Sequence, residues 1–224
     1  MTATAGLWKK CIDSLPLIPI LRGVEPHEVV AVGQILIDAG YTVIEVPLNS
    51  PQPFKSIKSL VDEFGAGVTV GAGTVLSADD VLKTIDTGAQ LIVAPNFSEE
   101  VAAASVEAGM IYCPGVATPT EAFNAINHGA TACKLFPAEM ITPAVVKAMF
   151  AVLPQNIDLF AVGGITADNM RAYLDAGCTG FGIGSALYKP GKSAAEIKLA
   201  ADKTVAAFCV CSGVVSGGGV SGPE

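Results

Sequence analysis

One lysine of this chain stands inside an otherwise apolar, β-prone run, residues 130–137, which ends in a proline. Burial of an ammonium group removes its hydration and favours the neutral amine. A neutral, desolvated amine can attack a carbonyl carbon and form a Schiff base, which makes Lys134 a candidate nucleophile. A lysine that extends from a strand end into solvent is the alternative, and the segment by itself does not separate the two.

Other chemistry-bearing residues lie in or just after apolar runs, although only 15% of the chain is charged. Glu45, held in a dry site near Lys134, can shuttle protons, because burial moves the pKa of a carboxyl group toward neutrality. Arg22 offers a fork of donors that suits a carboxylate, and Thr74 follows a glycine-rich stretch against which a substrate could lie. A purely structural ion pair of Glu45 with Lys134 or Arg22 is the alternative. We favour catalysis, since a buried pair without function is costly.

Two glycine-rich turns come late in the chain, at Gly163-Gly164 and at Gly184-Ser185. Backbone N–H groups of such turns, together with the Ser185 hydroxyl, can bind a phosphate. Each turn taken singly is equally explained as a tight connection from a strand to a helix. Because the two turns follow the last two predicted strands, where barrels commonly bind phosphate, together they favour a phosphate site.

Eight short runs rich in Val, Ile and Leu predict strands, and the amphipathic stretches between them predict helices. The predicted strands are residues 17–21, 42–46, 68–71, 91–94, 110–113, 131–136, 159–162 and 180–183. A repeat of roughly 20 to 30 residues favours an α/β fold, a (β/α)8 TIM barrel, with an open doubly wound sheet as the alternative. A barrel would place all the residues above at the C-terminal ends of its strands, where such folds carry their active sites.

The two ends of the sequence predict additions to this barrel. The segment before Leu17 is expected to form an extra N-terminal helix that covers the barrel floor. Residues 1–211 are then expected to be a single domain, and the Gly/Ser-rich residues 212–224 a flexible tail.

Composition argues against several functional classes. The formal net charge of −8 argues against nucleic-acid binding, and no apolar run approaches the ~20 residues that span a membrane. The first residues lack the order of a signal peptide. The six cysteines show no paired metal spacing and the two histidines form no ligand cluster, which predicts a cytoplasmic protein with reduced thiols and no metal.

Six motifs carry a resemblance to a known family, in order and spacing, from about Leu15 to Tyr188. They are Ile20-Leu21-Arg22-Gly23, Ile44-Glu45-Val46-Pro47-Leu48-Asn49-Ser50-Pro51, Gly71-Ala72-Gly73-Thr74, Cys113-Pro114-Gly115, Lys134-Leu135-Phe136-Pro137 and Ala161-Val162-Gly163-Gly164. As a set they resemble the class I 2-keto-3-deoxy-6-phosphogluconate/phosphogalactonate aldolases. The gluconate enzymes tend to carry Leu-Arg-Thr after the glutamate, whereas residues 48–51 here look like the phosphogalactonate branch.

The resemblance implies the reaction and its residues. Lys134 would form the Schiff base and Glu45 would transfer protons, while Arg22 and Thr74 bind the pyruvyl carboxylate end. The phosphate would lie among Gly164, Gly184 and Ser185. The implied substrate is a phosphorylated 2-keto-3-deoxy sugar acid, cleaved by a homotrimer of barrels to pyruvate and D-glyceraldehyde 3-phosphate. No metal or other cofactor is expected, because the iminium itself is the electron sink.

Other functions remain open from the sequence. A gluconate-type or 4-hydroxy-2-oxoglutarate aldolase of the same family is the nearest alternative. A phosphate-binding barrel isomerase or synthase would use the two glycine-rich turns without an imine, and a non-catalytic sugar-phosphate-binding barrel would not turn over at all.

Asn49 has two interpretations. It is expected at the barrel mouth, where an amide that both donates and accepts could discriminate the configuration of the substrate hydroxyls. Alternatively it caps a helix that begins at Ser50-Pro51, since asparagine is a preferred N-cap residue.

Overall fold

The computed structural model describes residues 3–213, in which strands and helices alternate along the chain. The strands are β1 (Leu17–Pro19), β2 (Val43–Pro47), β3 (Thr69–Gly73), β4 (Leu91–Val93), β5 (Ile111–Cys113), β6 (Gly115–Val116), β7 (Ala132–Leu135), β8 (Asp158–Val162) and β9 (Gly180–Ile183). The helices are α1 (Ala3–Ser14), α2 (Val29–Asp38), α3 (Pro53–Phe64), α4 (Ala78–Asp86), α5 (Glu99–Glu107), α6 (Pro119–Asn127), α7 (Pro143–Phe150), α8 (Met170–Asp175) and α9 (Ala194–Ser212).

The strands form two parallel sheets that close into a barrel. One sheet has the order β1-β9-β8-β7-β6 and the other the order β2-β3-β4-β5. At one junction, Ile20 pairs with Glu45 just beyond β1, and the Leu21 amide donates to the Glu45 carbonyl at 3.0 Å. At the other junction the chain runs directly from β5 into β6 through Pro114. The predicted (β/α)8 barrel is confirmed, and the open sheet is not formed.

Pro114 separates β5 from β6, and these two short strands together occupy the fifth strand position of the barrel. Proline has no N–H group to contribute to a ladder, so it interrupts the pairing between two short strands. Its carbonyl still accepts from the Lys134 amide at 2.9 Å, which aligns β6 with β7 beside it. The eight predicted strands are all present, but the fifth is followed by this two-residue extension, which the apolar pattern did not indicate.

The strands are buried on both faces, which accounts for the high mean hydropathy of the chain. Their outer faces pack against the surrounding helices. Their inner faces form a separate apolar cluster inside the barrel, which includes Ile18, Val43, Leu91, Val93, Ile111, Cys113, Ala132 and Phe160.

Helix α1 closes the barrel floor, as the sequence predicts. The Trp8 indole packs against Phe160 with ring centroids 5.3 Å apart, and its Nε1 donates to Asp158 Oδ2 at 2.8 Å. Cys11 Sγ lies 3.1 Å from Thr69 Oγ1. These contacts join the helix to the N-terminal ends of β8 and β3, and the opposite end of the barrel is left open.

Helix α9 extends through Ser212, the first residue of the predicted tail, and Gly213 ends it in a left-handed conformation with φ of 73°. The rest of that predicted tail, residues 214–224, lies outside the described residues. Among residues 3–213, no helix combines the length and the apolar character that crossing a membrane requires. The same residues contain no cluster of His, Cys, Asp and Glu able to hold a metal ion.

Candidate active site

Two ionisable side chains from opposite sheets are buried inside the barrel. Lys134 on β7 is 4% exposed and Glu45 on β2 is 2% exposed. Both line a cavity of about 10 Å³, close to the smallest space that holds a water molecule. Its remaining walls are almost entirely apolar: Ile18, Ile20, Val93, Cys113, Phe160, Val162 and Gly182.

Lys134 is held in the interior and does not extend into solvent. Its amide is bonded to the Pro114 carbonyl, and its Nζ lies 4.8 Å from the centre of the Phe136 ring. A cation over an aromatic face is stabilised by the ring quadrupole, so this contact favours one position of a flexible side chain. The amine therefore has the apolar enclosure that a Schiff-base lysine requires.

The electrostatics of Glu45 suit a group that exchanges protons. Burial raises the pKa of this carboxyl group above its usual range, and the charges of Lys134 and Arg22 oppose that rise. The missing side chain of Gly73 makes room for the carboxyl group, since a Cβ there would overlap Glu45 Oε1. Glycine at that position therefore leaves the space that the Glu45 carboxyl group occupies beside β3.

Thr74 follows Gly73 at the mouth, which is the end of the barrel where the strands have their C-termini. It has φ of 57°, in the left-handed region that a β-branched residue rarely adopts. Strain of this kind persists where the surrounding structure enforces it, often at a ligand site. The residue is half-buried, next to the end of the strand that pairs with that of Glu45.

Arg22 is exposed at the mouth and is bonded to Asn49, with 2.6 Å between Nη1 and Oδ1. The interpretation of Asn49 as a helix cap is wrong. Helix α3 begins at Pro53, and its N-cap position is Gln52, so Asn49 lies outside the helix end. Pro51 and Pro53 both lie in this segment, and the turn between them delays the start of the helix.

The two glycine-rich turns border one larger cavity of about 420 Å³ at the mouth. Gly163 and Gly164 have φ of 109° and 63°, conformations that glycine adopts without strain. The Asn169 side chain fixes this turn, because its Nδ2 donates to the Gly164 carbonyl at 2.9 Å. The cavity also contacts Gly184 and Ser185, so both predicted turns face the same space.

The large cavity adjoins the small one. Ile20, Val162 and Gly182 line both, so the lysine cavity lies beneath the space bordered by the glycine turns. Arg22 and Phe136 line the larger cavity only. The structure thus brings Lys134, Glu45, Arg22 and the two turns around one continuous region. Thr74 lies just beyond β3, the strand paired with that of Glu45, but it lines neither cavity.

Two charged residues that line the larger cavity were missed from the sequence. Glu139 lies against the first glycine turn, where a Cβ on Gly164 would come within 3.2 Å of its Cδ, and Lys189 lines the same cavity. Glu139 comes five residues after Lys134, and Lys189 four after Ser185, so both lie in loops that follow strands of the site. Searching those loops for charge would have found them.

The fold is a parallel barrel, and one of its cavities contains both a buried lysine and a buried glutamate, which is the arrangement that Schiff-base chemistry at a carbonyl requires. A family model agrees: the chain belongs to the KDPG and KHG aldolase family, whose model matches residues 9–213. The resemblance stated from the motifs is confirmed.

Within this family the chain is more similar to a phosphogalactonate aldolase than to a KHG/KDPG aldolase. The chain is 50% identical to 2-dehydro-3-deoxy-6-phosphogalactonate aldolase of Escherichia coli strain K12, over 80% of this chain and 87% of that protein. It is 28% identical to the KHG/KDPG aldolase of the same organism, over 75% and 80%. Among solved structures, one described as native KDPGal superposes with a TM-score of 0.88 and 46% identity, covering 89% of this chain and 97% of the other.

Proposed function

We propose that this protein cleaves 2-dehydro-3-deoxy-6-phosphogalactonate to pyruvate and D-glyceraldehyde 3-phosphate through a Schiff base. The observation that carries the proposal is the burial of Lys134 and Glu45 in one cavity beneath the glycine turns. The 50% identity to the E. coli enzyme of that name supports the choice of substrate.

In this mechanism neutral Lys134 Nζ attacks C2 of the 2-keto acid, and loss of water with uptake of one proton gives an iminium ion. Glu45 takes the proton of the C4 hydroxyl, either directly or through one water molecule in the small cavity. The C3–C4 bond then breaks, its electron pair moves into the iminium to give an enamine, and the phosphorylated aldehyde leaves. Glu45 returns the proton to C3 of the enamine, and hydrolysis of the resulting imine releases pyruvate.

The remaining site residues bind the two ends of the substrate. Arg22 and Thr74 hold the carboxylate, and Gly164, Gly184 and Ser185 hold the phosphate through N–H and hydroxyl donors. Arg22 follows β1, which pairs with β9, so it lies beside the phosphate donors that follow β8 and β9. We place C2 of the substrate above Lys134, at the small cavity that adjoins this region.

We also propose that residues 3–211 work as one domain in a cytoplasmic homotrimer. A designed cage described as a fusion of symmetric oligomeric domains contains a chain similar to this one, with 46% identity and a TM-score of 0.87. That match covers 89% of this chain and 74% of the cage chain. Sedimentation of the purified protein measures its oligomeric state, and a monomer would contradict the proposed homotrimer.

Borohydride reduction in the presence of pyruvate tests the chemistry. Mass spectrometry of the digested protein is expected to find a reduced pyruvyl adduct on Lys134, and Lys147→Arg on the exposed face of α7 is the matched control that keeps it. An enzyme without an imine, or a binding protein, gives no adduct. Rates on the two C4 epimers then test the substrate: a higher kcat/KM for the gluconate epimer would favour the gluconate-type alternative.

A further inference from the structure

The junction between β1 and β2 has few backbone hydrogen bonds. Within residues 3–213, Ile20 and Glu45 form the one bridge across it, whereas β2 and β3 are paired over five residues. Arg22, which is proposed to bind the carboxylate, and Glu45, which is proposed to transfer protons, both lie at this junction. Its geometry therefore depends on contacts other than the ladder.

Two side chains from the loop after β2 extend the junction toward the mouth. Asn49 Oδ1 accepts from Arg22 Nη1 at 2.6 Å, and Ser50 Oγ accepts from the Gly23 amide at 2.9 Å. Ser50 is only 8% exposed, so its bond is shielded from water. Pro190 also borders Gly23, with its Cγ 2.8 Å from the position of a Cβ there. The backbone that carries Arg22 is thereby held in place.

The side chain of Arg22 has a different restraint. Its guanidinium is exposed, and within the described chain its one hydrogen bond goes to Asn49. A free arginine samples many rotamers, and a restraint on one Nη leaves its other N–H groups available for a bidentate carboxylate. A neutral amide oxygen provides this restraint without cancelling the positive charge.

We propose that Asn49 is a positioning residue, which holds the Arg22 guanidinium where it receives the carboxylate of a 2-keto acid. The inference rests on the proposed function, because it takes the ligand of Arg22 to be that carboxylate. It also gives residues 48–51 a role in binding the end of the substrate that all 2-keto acids share. Asn49 then acts through Arg22 and not by direct contact with the sugar hydroxyls.

Pyruvate carries the carboxylate but neither the phosphate nor the sugar hydroxyls, so it isolates the step that Asn49 affects. The measurement is the pyruvate concentration that gives half-maximal borohydride trapping. Asn49→Leu keeps the size of the side chain and removes the acceptor, and Asn49→Ser is too short to reach Arg22. Each is expected to raise that concentration about 3- to 10-fold, the usual effect of one lost hydrogen bond.

Three controls make the result specific. Asn156→Leu changes an exposed asparagine in the loop before β8, at the opposite end of the barrel. Its pyruvate concentration for half-maximal trapping is expected to stay within about twofold of that of the unmodified protein. In an Arg22→Leu background, Asn49→Leu should have no further effect, because a residue that acts through Arg22 cannot act without it. The KM for glyceraldehyde 3-phosphate in the condensation direction should stay within about twofold.

The outcomes separate this inference from the proposed function. If the unmodified protein forms no pyruvate adduct, the Schiff-base function itself is wrong. If the adduct forms normally and both folded Asn49 variants need the same pyruvate concentration as the unmodified protein, the positioning role is wrong. If Asn49→Leu raised the required pyruvate concentration equally with and without Arg22, that would also overturn the positioning role, because Asn49 would then act independently. Asn49→Ser provides the measurement if Asn49→Leu does not fold.

Discussion

Replacing Gly73 by alanine tests whether the position of the Glu45 carboxyl group controls turnover. A Cβ at residue 73 would lie 2.8 Å from Glu45 Cδ, whereas carbon atoms in ordinary contact are about 3.5–4.0 Å apart. The carboxyl group must therefore move by about 1 Å. Gly73 has a backbone conformation that alanine tolerates, so the effect is this displacement and not strain in φ.

The expected loss follows from that distance. A misplacement of about 1 Å in a catalytic group can lower the rate about 10²-fold. We expect kcat of Gly73→Ala to fall by that order, while pyruvate trapping on Lys134 persists. Crowding in a packed interior also lowers the free energy of unfolding by about 1–3 kcal/mol.

The assay combines three measurements on each variant: kcat for cleavage, exchange of the pyruvate methyl protons in D₂O followed by NMR, and the melting temperature. Exchange reports proton transfer at C3, which the proposed mechanism gives to Glu45. Gly33→Ala is the control, because its Cβ crowds Leu60 Cδ2 at 2.7 Å in the packing of α2 against α3, outside the barrel. A folded Gly73→Ala protein with kcat within threefold of the unmodified enzyme would refute the reasoning.

Further predictions concern the charged groups of the site. Lys134→Arg is expected to fold and to form no pyruvate adduct, because a guanidinium stays protonated; mass spectrometry after borohydride treatment checks this. The Glu45→Gln protein should still form the pyruvate adduct, while its kcat should fall about 10²- to 10⁴-fold. Because burial raises the pKa of Glu45, its charge opposes folding more as pH rises through that pKa, so Glu45→Gln should raise the melting temperature more at pH 8 than at pH 4. Lys189→Gln should raise KM for the phosphorylated substrate and Glu139→Gln should lower it, both without changing pyruvate trapping; equal effects on trapping would place these residues elsewhere in the mechanism.

The strand pattern and its polar exceptions could be predicted from the sequence. Parallel strands buried on both faces leave continuous apolar runs, so a lysine or a glutamate inside one is conspicuous, as Lys134 and Glu45 are. Their placement in one cavity follows once the runs close into a barrel.

Contacts between loops could not be predicted in the same way. The bond from Arg22 to Asn49 depends on how the loops after β1 and β2 approach each other, and no periodicity encodes that distance. Asparagine before two prolines matched a helix cap, but the turn places the helix start at Pro53. Glu139 lies in a loop that follows a strand of the site, but its contact with the glycine turn at Gly164 depends on the same approach of loops.

The division of the barrel into two sheets has a consequence for the order in which the protein matures on the ribosome. Strands β2 to β5 pair with their neighbours along the chain, so the sheet that carries Glu45 can form while later residues are still being added, at about 5–20 residues per second. Strand β1 pairs with β9 and must wait for it. Until then β1 and β8 expose unpaired edges, which are prone to aggregation. In the nascent chain, the sheet that contains Glu45 therefore forms early, and the active site becomes enclosed only when β9 has emerged.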